Sequence, residues 1–95
     1  MEKNMKLIRL SSGEEVIGKV VENKDSITIT DGYSLIPAGE GKIGFMPFMA
    51  YTKAKDGITI PNQFVVFIVE PVDQLVDQVR QMDTGITVAK NKIIS

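Results

Sequence analysis

Apolar and polar residues alternate with a period of two through the first third of the chain, which is the pattern of β-strands that bury one face. Residues 5–10 and 15–22 form two such segments, and the turn residues Ser11–Glu14 separate them. A third segment begins at Ile27 and Ile29, two β-branched residues that share one face. The pattern therefore predicts three strands joined by short turns.

Glycine and proline indicate where these strands bend or end. Gly18 lies inside the second strand, and a glycine there predicts a bend or the close approach of another backbone. Asp31-Gly32 predicts a bulge in the third strand. Pro47 interrupts a fourth apolar segment, residues 43–52, which favours an edge position or a bulge for that segment.

The next segments predict a hairpin and a buried strand. Residues 53–57 end in Asp-Gly and form the strongest hairpin turn in the sequence. A short extended piece follows at residues 58–60. The run at 64–69 is apolar on both faces, which predicts a strand that is central in the sheet or buried at a contact between subunits.

The hydrophobic period changes after Glu70. Pro71 suits the first turn of a helix, and Gly85 is a stop signal. The apolar positions between them recur with helical spacing: Val72, Leu75, Val76, Val79 and Met82. We therefore predict an amphipathic helix over about residues 71–83, followed by a basic tail at 86–95.

Five short strands and one helix predict a mainly β fold. A five-stranded sheet of this length has to curl to bury its apolar residues, so we expect a small barrel. The C-terminal helix is expected to close its open side. At 95 residues the sequence suits a single domain, 1–95, with the barrel over about 5–69.

Composition narrows the possible chemistry. The chain has 11 Lys and Arg residues against 12 Asp and Glu residues, and it has no His and no Cys. It therefore lacks the usual zinc ligands, thiol nucleophiles and imidazole bases. Glu14 and Glu15 are adjacent, and neighbouring side chains on a strand point to opposite faces. We expect no enzyme activity, no cofactor and no metal.

Net charge and apolar run lengths bear on partners and location. A net charge of −1 gives no overall attraction for a polyanion, so nucleic-acid binding would need a local basic patch. The longest apolar run is far shorter than a membrane span. A cytoplasmic location without membrane contact is therefore expected by default.

One segment resembles a motif of a known family. Residues 10–20 place a turn glycine before a strand with a hydrophobic-x-Gly-x-hydrophobic core, and this resembles the first motif of the Sm/Sm-like (LSm) family. Ile27 and Ile29 match the apolar positions of that family's next strand. Residues 64–69 resemble its hydrophobic last strand. The resemblance covers about residues 5–69 and is closest to Sm-like proteins of marine phage-related sequences, which would imply the cytoplasm of a host cell.

This resemblance implies a small, strongly bent five-stranded barrel of the Sm-like (SH3-like) type. Such barrels assemble edge to edge into homo-oligomeric rings of five to eight subunits and bind RNA. Asn23 and Asp25 occupy the loop that holds a base in the family, although in the order Asn-Lys-Asp. Residues 61–63, Pro-Asn-Gln, replace the Arg-Gly or Lys-His of the second motif. The cationic group that stacks on a base is therefore missing. The family's helix precedes the strands, whereas the predicted helix here follows them.

Two groups of candidate residues follow. The candidates for nucleic-acid contacts are Asn23, Lys24, Asp25, Lys53, Lys55 and Asn62. The candidates for a subunit interface are Phe64, Val65, Val66, Phe67, Ile68 and Val69. Solvated turn residues are the alternative interpretation of the first group. Lys90 and Lys92 form a further basic pair in the tail.

The remaining aromatic and glycine-rich segments favour structural roles. Phe45 and Phe48 are three residues apart, so a regular strand would point them to opposite faces, and packing is favoured over base stacking for them and for Tyr51. Met46 and Met49 belong to the same apolar segment and typically fill gaps in a core. The glycines at 39, 41 and 44 are not followed by the Gly-Lys-Ser/Thr of a phosphate loop.

These observations leave two main hypotheses for the function. The first is a non-catalytic, ring-forming Sm-like protein that binds RNA or single-stranded DNA and takes part in nucleic-acid processing. The second is a structural or adaptor module, of phage origin, that uses the same ring to bind protein. An unrelated SH3-like or oligonucleotide-binding barrel remains open on strand count alone.

Overall fold

The computed structural model describes residues 4–83 of the chain. They form a six-stranded antiparallel sheet and one α-helix. The strands are β1 (Met5–Leu10), β2 (Glu15–Glu22), β3 (Ser26–Gly39), β4 (Lys42–Pro47), β5 (Ile58–Pro61) and β6 (Val65–Val69), and the helix is α1 (Asp73–Asp83). The predicted tail, residues 86–95 with Lys90 and Lys92, lies outside the described residues.

The strand order shows two open edges. The order is β4–β3–β2–β1–β6, and β5 pairs with the first half of β3 while β4 pairs with its second half. Both lie on the edge of β3 opposite β2. Within residues 4–83, β5 and β6 are not paired with each other, so the sheet is not closed into a barrel. The prediction of a mainly β fold with a C-terminal helix is confirmed.

The sixth strand arises where the predicted fourth strand stops early. β4 ends at Pro47 because proline has no N–H to donate to the ladder, and β4 lies at an edge as its proline indicates. The predicted continuation to residue 52 is wrong. The short extended piece at 58–60 is strand β5, preceded by a single 3₁₀ turn at Ala54–Asp56.

The predicted bend at Gly18 is confirmed. Ile17 pairs with Tyr33 and Lys19 pairs with Thr30, so β3 has one extra residue opposite Gly18. A Cβ added at Gly18 would lie 3.0 Å from the Cα of Gly32, which leaves no room for a side chain. This close approach of two backbones bends the sheet so that its inner face becomes concave.

The concave face of the sheet carries the larger apolar core. Its buried members come from β1, β2, β3 and the segment after β4: Ile8, Leu10, Val16, Val20, Ile27, Ile29 and Phe48. Ile58 and Ile60 of β5, with Val65 and Ile68 of β6, pack around it and are half-buried. The core is therefore open to solvent where β5 and β6 fail to meet.

The opposite face of the sheet is covered by α1. Val79 of the helix is fully buried against Met5 and Ile17. Half-buried side chains surround this contact: Leu7, Tyr33, Leu35, Phe45, Leu75, Val76 and Met82. The predicted apolar stripe is confirmed except for Val72, which is exposed. The prediction that the helix closes the open side is wrong, because its partners come from β1 to β4.

A hydrogen bond fixes the end of the helix on the sheet. The Tyr33 hydroxyl donates to Asp83 Oδ1 across 3.1 Å. Burial, followed by the charge of Asp83, raises the pKa of Tyr33 to about 12. Burial also raises the pKa of the Asp83 carboxyl, while the bond from Tyr33 and the charges of Lys19 and Lys55 act in the opposite direction.

Strand β6 lies at an edge of the sheet, so the first of its two predicted alternatives, a central position, is wrong, and burial at a contact between subunits stays a prediction. It pairs only with β1 among the described strands. Its apolar character on both faces indicated burial, but periodicity alone does not show what covers a strand.

None of the helices between residues 4 and 83 has the length and apolar character of a membrane-spanning segment.

Candidate functional site

Two distant segments meet at one end of the open sheet. The β2–β3 turn contains Asn23, Lys24 and Asp25, and Asn62 lies in the single 3₁₀ turn between β5 and β6. The backbone N–H of Asn62 donates to the Asp25 carbonyl across 3.0 Å, and its side-chain amide lies 3.5 Å from the Lys24 carbonyl. We call these four residues the corner.

Hydrogen bonds hold the corner in a defined shape. The Asn23 backbone N–H donates to the Ser26 carbonyl across 2.8 Å. The Asn23 side-chain amide lies 3.3 Å from the hydroxyls of both Ser26 and Thr28. Thr28 in turn contacts the Thr59 hydroxyl of β5 at 3.1 Å. The side chain of Asn23 is thus oriented by a polar network that joins β3 to β5.

A depression of about 280 Å³ opens beside the corner, between the β2–β3 turn and β6. Its lining is apolar toward the core and polar at the rim: Ile27, Val65, Phe67 and Ile68, with Glu22, Asn23 and Asn62. An apolar wall bounded by amide groups suits a flat ring that stacks on one side and hydrogen-bonds at its edge.

The charges around the corner are mixed. Lys24 supplies one positive charge, while Glu22 and Asp25 supply two negative charges, and all three residues are exposed. None of the three forms an ion pair with another described residue. A phosphate group would therefore meet one lysine and two repelling carboxylates in a single copy of the chain.

The other two candidate lysines lie away from the corner. Lys53 and Lys55 belong to residues 48–57, the loop between β4 and β5. The four residues of β5 separate this loop from the corner, which corresponds to about 13 Å of extended chain. Burial raises the pKa of Asp83, and the positive charge of Lys55 partly offsets this rise. Within one copy, the six predicted residues thus form two groups.

The aromatic and acidic candidates have mostly structural positions. Phe48 is buried in the concave core, and Phe45 packs edge-on against Tyr33 with ring centroids 6.5 Å apart. Glu14 accepts a hydrogen bond from Ser34 at 2.9 Å, whereas Glu15 forms an ion pair with Arg9. The two carboxylates thus contact side chains of different strands, β3 and β1. Met46 and Met49 are exposed and do not fill the core as predicted.

Two features of the site gave no signal in the sequence. The depression depends on where β6 lies relative to β3, which only the paired sheet determines. The second feature is the loop backbone, where Met49 and Tyr51 have φ values of 57° and 74°. Non-glycine residues rarely adopt this left-handed region, and neither residue type favours it.

Comparison with known proteins adds no assignment. No family model matches the chain, and no curated protein matches it. No group of three or more His, Cys, Asp or Glu residues within residues 4–83 is placed to hold a metal ion. The case for a function therefore depends on the corner, the depression and the two open sheet edges.

Proposed function

We propose that this protein is a non-catalytic, Sm-like subunit that assembles head to tail into a ring and binds single-stranded RNA or DNA at the corner. The proposal includes the Sm-like barrel, which one copy leaves open and a neighbouring copy completes. A ring of five to eight subunits, a phage origin and a cytoplasmic location belong to the same proposal.

The main support for the proposal is the contact between Asn62 and the β2–β3 turn, which forms the corner. Asn62 follows β5, yet its backbone and side chain contact the turn that holds Lys24 and Asp25. The resemblance assigns base contacts to these two loops, and the fold brings them together beside a depression with an apolar wall. Amide side chains suit base edges, and a ring placed against Val65 and Ile68, which also line the depression, would be shielded from water.

Open edges support the assembly part of the proposal. A strand edge with unpaired N–H and C=O groups is a template for pairing with another chain. The two edges of this sheet are different in sequence, so pairing one with the other is a heterologous contact. Such a contact closes into a ring when the rotation between copies allows it.

Binding of a labelled mixed-sequence oligonucleotide, followed by fluorescence anisotropy over a salt series, tests the proposal. We expect binding that weakens as salt rises, because phosphate contacts release counterions. Asn62→Ala should weaken binding by about tenfold at each salt concentration. Lys24→Gln should weaken binding and reduce the salt slope by about one phosphate contact.

A matched control distinguishes the loss of a corner contact from the loss of one positive charge anywhere on the surface. Lys42 is an exposed lysine at the start of β4, outside the corner and outside the residues that line the depression. Lys42→Gln removes the same charge and should leave affinity within about twofold, since surface changes away from a site have small effects. Absence of any binding at low salt by the assembled protein contradicts the nucleic-acid part of the proposal.

One observation favours the adaptor hypothesis as a second candidate. A groove of about 450 Å³ runs between the β3–β4 hairpin and the start of α1, where Ile43 and Val72 are both exposed. A protein ligand in this groove would contact apolar side chains without needing a basic surface. Val72→Asp should abolish binding of such a protein while leaving oligonucleotide binding unchanged.

A further inference from the structure

The loop between β4 and β5, residues 48–57, has an unusual backbone. Met49 and Tyr51 both have positive φ, at 57° and 74°. A side chain in this region crowds its own backbone carbonyl, so non-glycine residues occupy it only where surrounding contacts require it. Strained residues of this kind are concentrated at functional sites. We call residues 48–57 the Tyr51 loop.

Several contacts hold the Tyr51 loop in this strained shape. Phe48 is buried in the concave core, and its backbone N–H donates to the Gly32 carbonyl across 2.9 Å. The Thr52 hydroxyl donates to the Met49 carbonyl and accepts a hydrogen bond from the backbone N–H of Ala54 at 3.1 Å. The loop is therefore held to the core by Phe48 at its start, and hydrogen bonds among its own residues fix the rest of its backbone.

These contacts display apolar side chains to solvent. Tyr51 is fully exposed, and Met49 and the neighbouring Met46 are about half exposed. An aromatic ring on a fixed backbone loses little conformational entropy when it binds, which is why tyrosine anchors many interfaces. Nothing within residues 4–83 covers the Tyr51 ring, so its fixed outward position suits a partner outside the chain.

A second apolar surface lies along the other sheet edge. Its members are 41% to 57% exposed: Phe64, Val66, Phe67 and Val69. We call these four residues the β6 strip. A register shift between Arg9 and Leu10 leaves Val66 without a partner in the ladder, and the Arg9 guanidinium lies 5.7 Å from the centre of the Phe67 ring. The strip follows an open strand edge.

The charges beside the two surfaces are complementary. The Tyr51 loop carries two lysines and one aspartate, and Lys53 forms no ion pair with another described residue. The corner and the adjacent Glu22 lie at the start of the β6 strip, and together they carry one lysine against the carboxylates of Glu22 and Asp25. Each surface therefore has an unmatched charge of the sign opposite to the other.

We propose that the Tyr51 loop of one copy docks on the β6 strip of a second copy, with Tyr51 as the anchor of a head-to-tail contact. This inference rests on the proposed self-assembly and adds the segment that determines it. The two surfaces lie on different edges of one sheet, so each copy offers one to each neighbour. A closed ring leaves neither surface exposed.

The docking has a consequence for the ligand site. It brings Lys53 of one copy toward the corner of the next, where Glu22 and Asp25 would otherwise repel a phosphate. The site for a nucleic acid is then shared between two copies. Lys53 and the corner, which lie apart in one chain, lie close together across the contact. Lys53→Gln should therefore weaken oligonucleotide binding, although Lys53 is not in the corner of its own chain.

Disulfide cross-linking between engineered cysteines tests the docking directly, since the chain has no cysteine of its own. Ala50→Cys places a thiol beside Tyr51 without removing the ring, and Val66→Cys places one on the β6 strip. Mixing the two purified variants under mild oxidation should give a cross-linked dimer on a non-reducing gel. Val21→Cys is the matched control, because Val21 is 55% exposed on β2 and Val66 is 57% exposed.

A second measurement does not depend on cross-linking. Tyr51→Ala should shift the midpoint of assembly by at least tenfold in concentration, as light scattering measures it, while Tyr51→Phe stays within about threefold because the ring is kept. Circular dichroism checks that both variants are folded.

The outcomes separate this inference from the proposed function. Cross-links between Ala50→Cys and Val66→Cys, absent with Val21→Cys, support the docking. If the protein assembles but Tyr51→Ala has no effect and no specific cross-link forms, the docking is wrong and self-assembly stands. If the protein is monomeric at every concentration, both are wrong.

Discussion

The two apolar surfaces outside the concave core differ in what covers them. On the outer face of the sheet, α1 buries Met5, Ile17 and Val79 to 1% exposure or less. Along β6, by contrast, Val66 stays 57% exposed. Both surfaces are apolar. The difference shows that, within residues 4–83, the helix covers the outer face of the sheet and leaves the β6 edge uncovered.

Polar contacts reinforce this difference. The Tyr33–Asp83 hydrogen bond fixes the end of α1 on the outer face. Among the described strands, the edge strand β6 pairs with β1 alone, and Lys6 of β1 forms an ion pair with Glu70, which follows β6. Substitutions on the face should therefore act on folding, and substitutions on the edge should act on assembly.

Among these predictions, the largest loss in the free energy of unfolding should come from a substitution in the concave core. This loss is the standard against which substitutions on the two surfaces are compared. Ile29 is 1% exposed and packs among side chains from β1, β2 and the Tyr51 loop. Ile29→Ala removes three buried carbons and leaves a cavity, so we expect a loss of about 3 kcal/mol in the free energy of unfolding. Urea denaturation followed by circular dichroism measures it. A loss below about 1 kcal/mol would contradict the close packing around Ile29 that its burial indicates.

The same substitution on the two surfaces gives the sharpest contrast. Val79→Ala lies under the helix and should lower the free energy of unfolding by about 2 kcal/mol. Val66→Ala lies on the edge and should change it by less than about 0.5 kcal/mol in dilute solution, where association does not contribute. Equal losses at the two positions would contradict the distinction between a covered face and an open edge.

The contact between helix and sheet should depend on pH. Tyr33 has a pKa of about 12 in the folded protein against 10.0 in the unfolded chain, so the folded state favours the neutral phenol. Its contribution is complete below pH 10 and is lost as the pH rises toward 12. The side chain is partly exposed, so we expect about 1 kcal/mol at most.

Tyr33→Phe checks the origin of this pH dependence. The variant should lose part of the wild-type dependence of unfolding free energy between pH 10 and pH 12, as chemical denaturation at fixed pH measures it. Tyr51→Phe is the matched control, because the Tyr51 side chain is fully exposed and the hydrogen bond to Asp83 comes from Tyr33. An unchanged pH dependence in Tyr33→Phe would show that the Tyr33–Asp83 bond does not stabilise the helix on the sheet.

The sequence predicted the features that local chemistry determines. Gly18 indicated a bend because a strand glycine provides space, and Gly32 occupies that space. The helical stripe ending at Met82 was visible from spacing alone. The Asn and Asp residues at 23–25 predicted a turn, whereas the contacts of Lys24 and Asp25 with Asn62 were not predicted, since they depend on how β5 pairs with β3.

The features that the sequence missed depend on long-range placement. Phe48 and Met49 continue an apolar run, so residues 48–52 were predicted as strand, whereas Phe48 enters the core and the chain leaves the sheet. The apolar run of β6 indicated burial without indicating by what. Hydrophobicity measures how much a segment gains from being covered, and it does not identify the covering surface.

The central claim is that the open edges are covered by other copies of the chain. Light scattering coupled to size-exclusion chromatography at micromolar concentration tests it most directly, with Val66→Asp run beside the wild type. The claim predicts a wild-type mass of five to eight times the 10.5 kDa chain and a much smaller mass for Val66→Asp. A wild-type mass of one chain would contradict it.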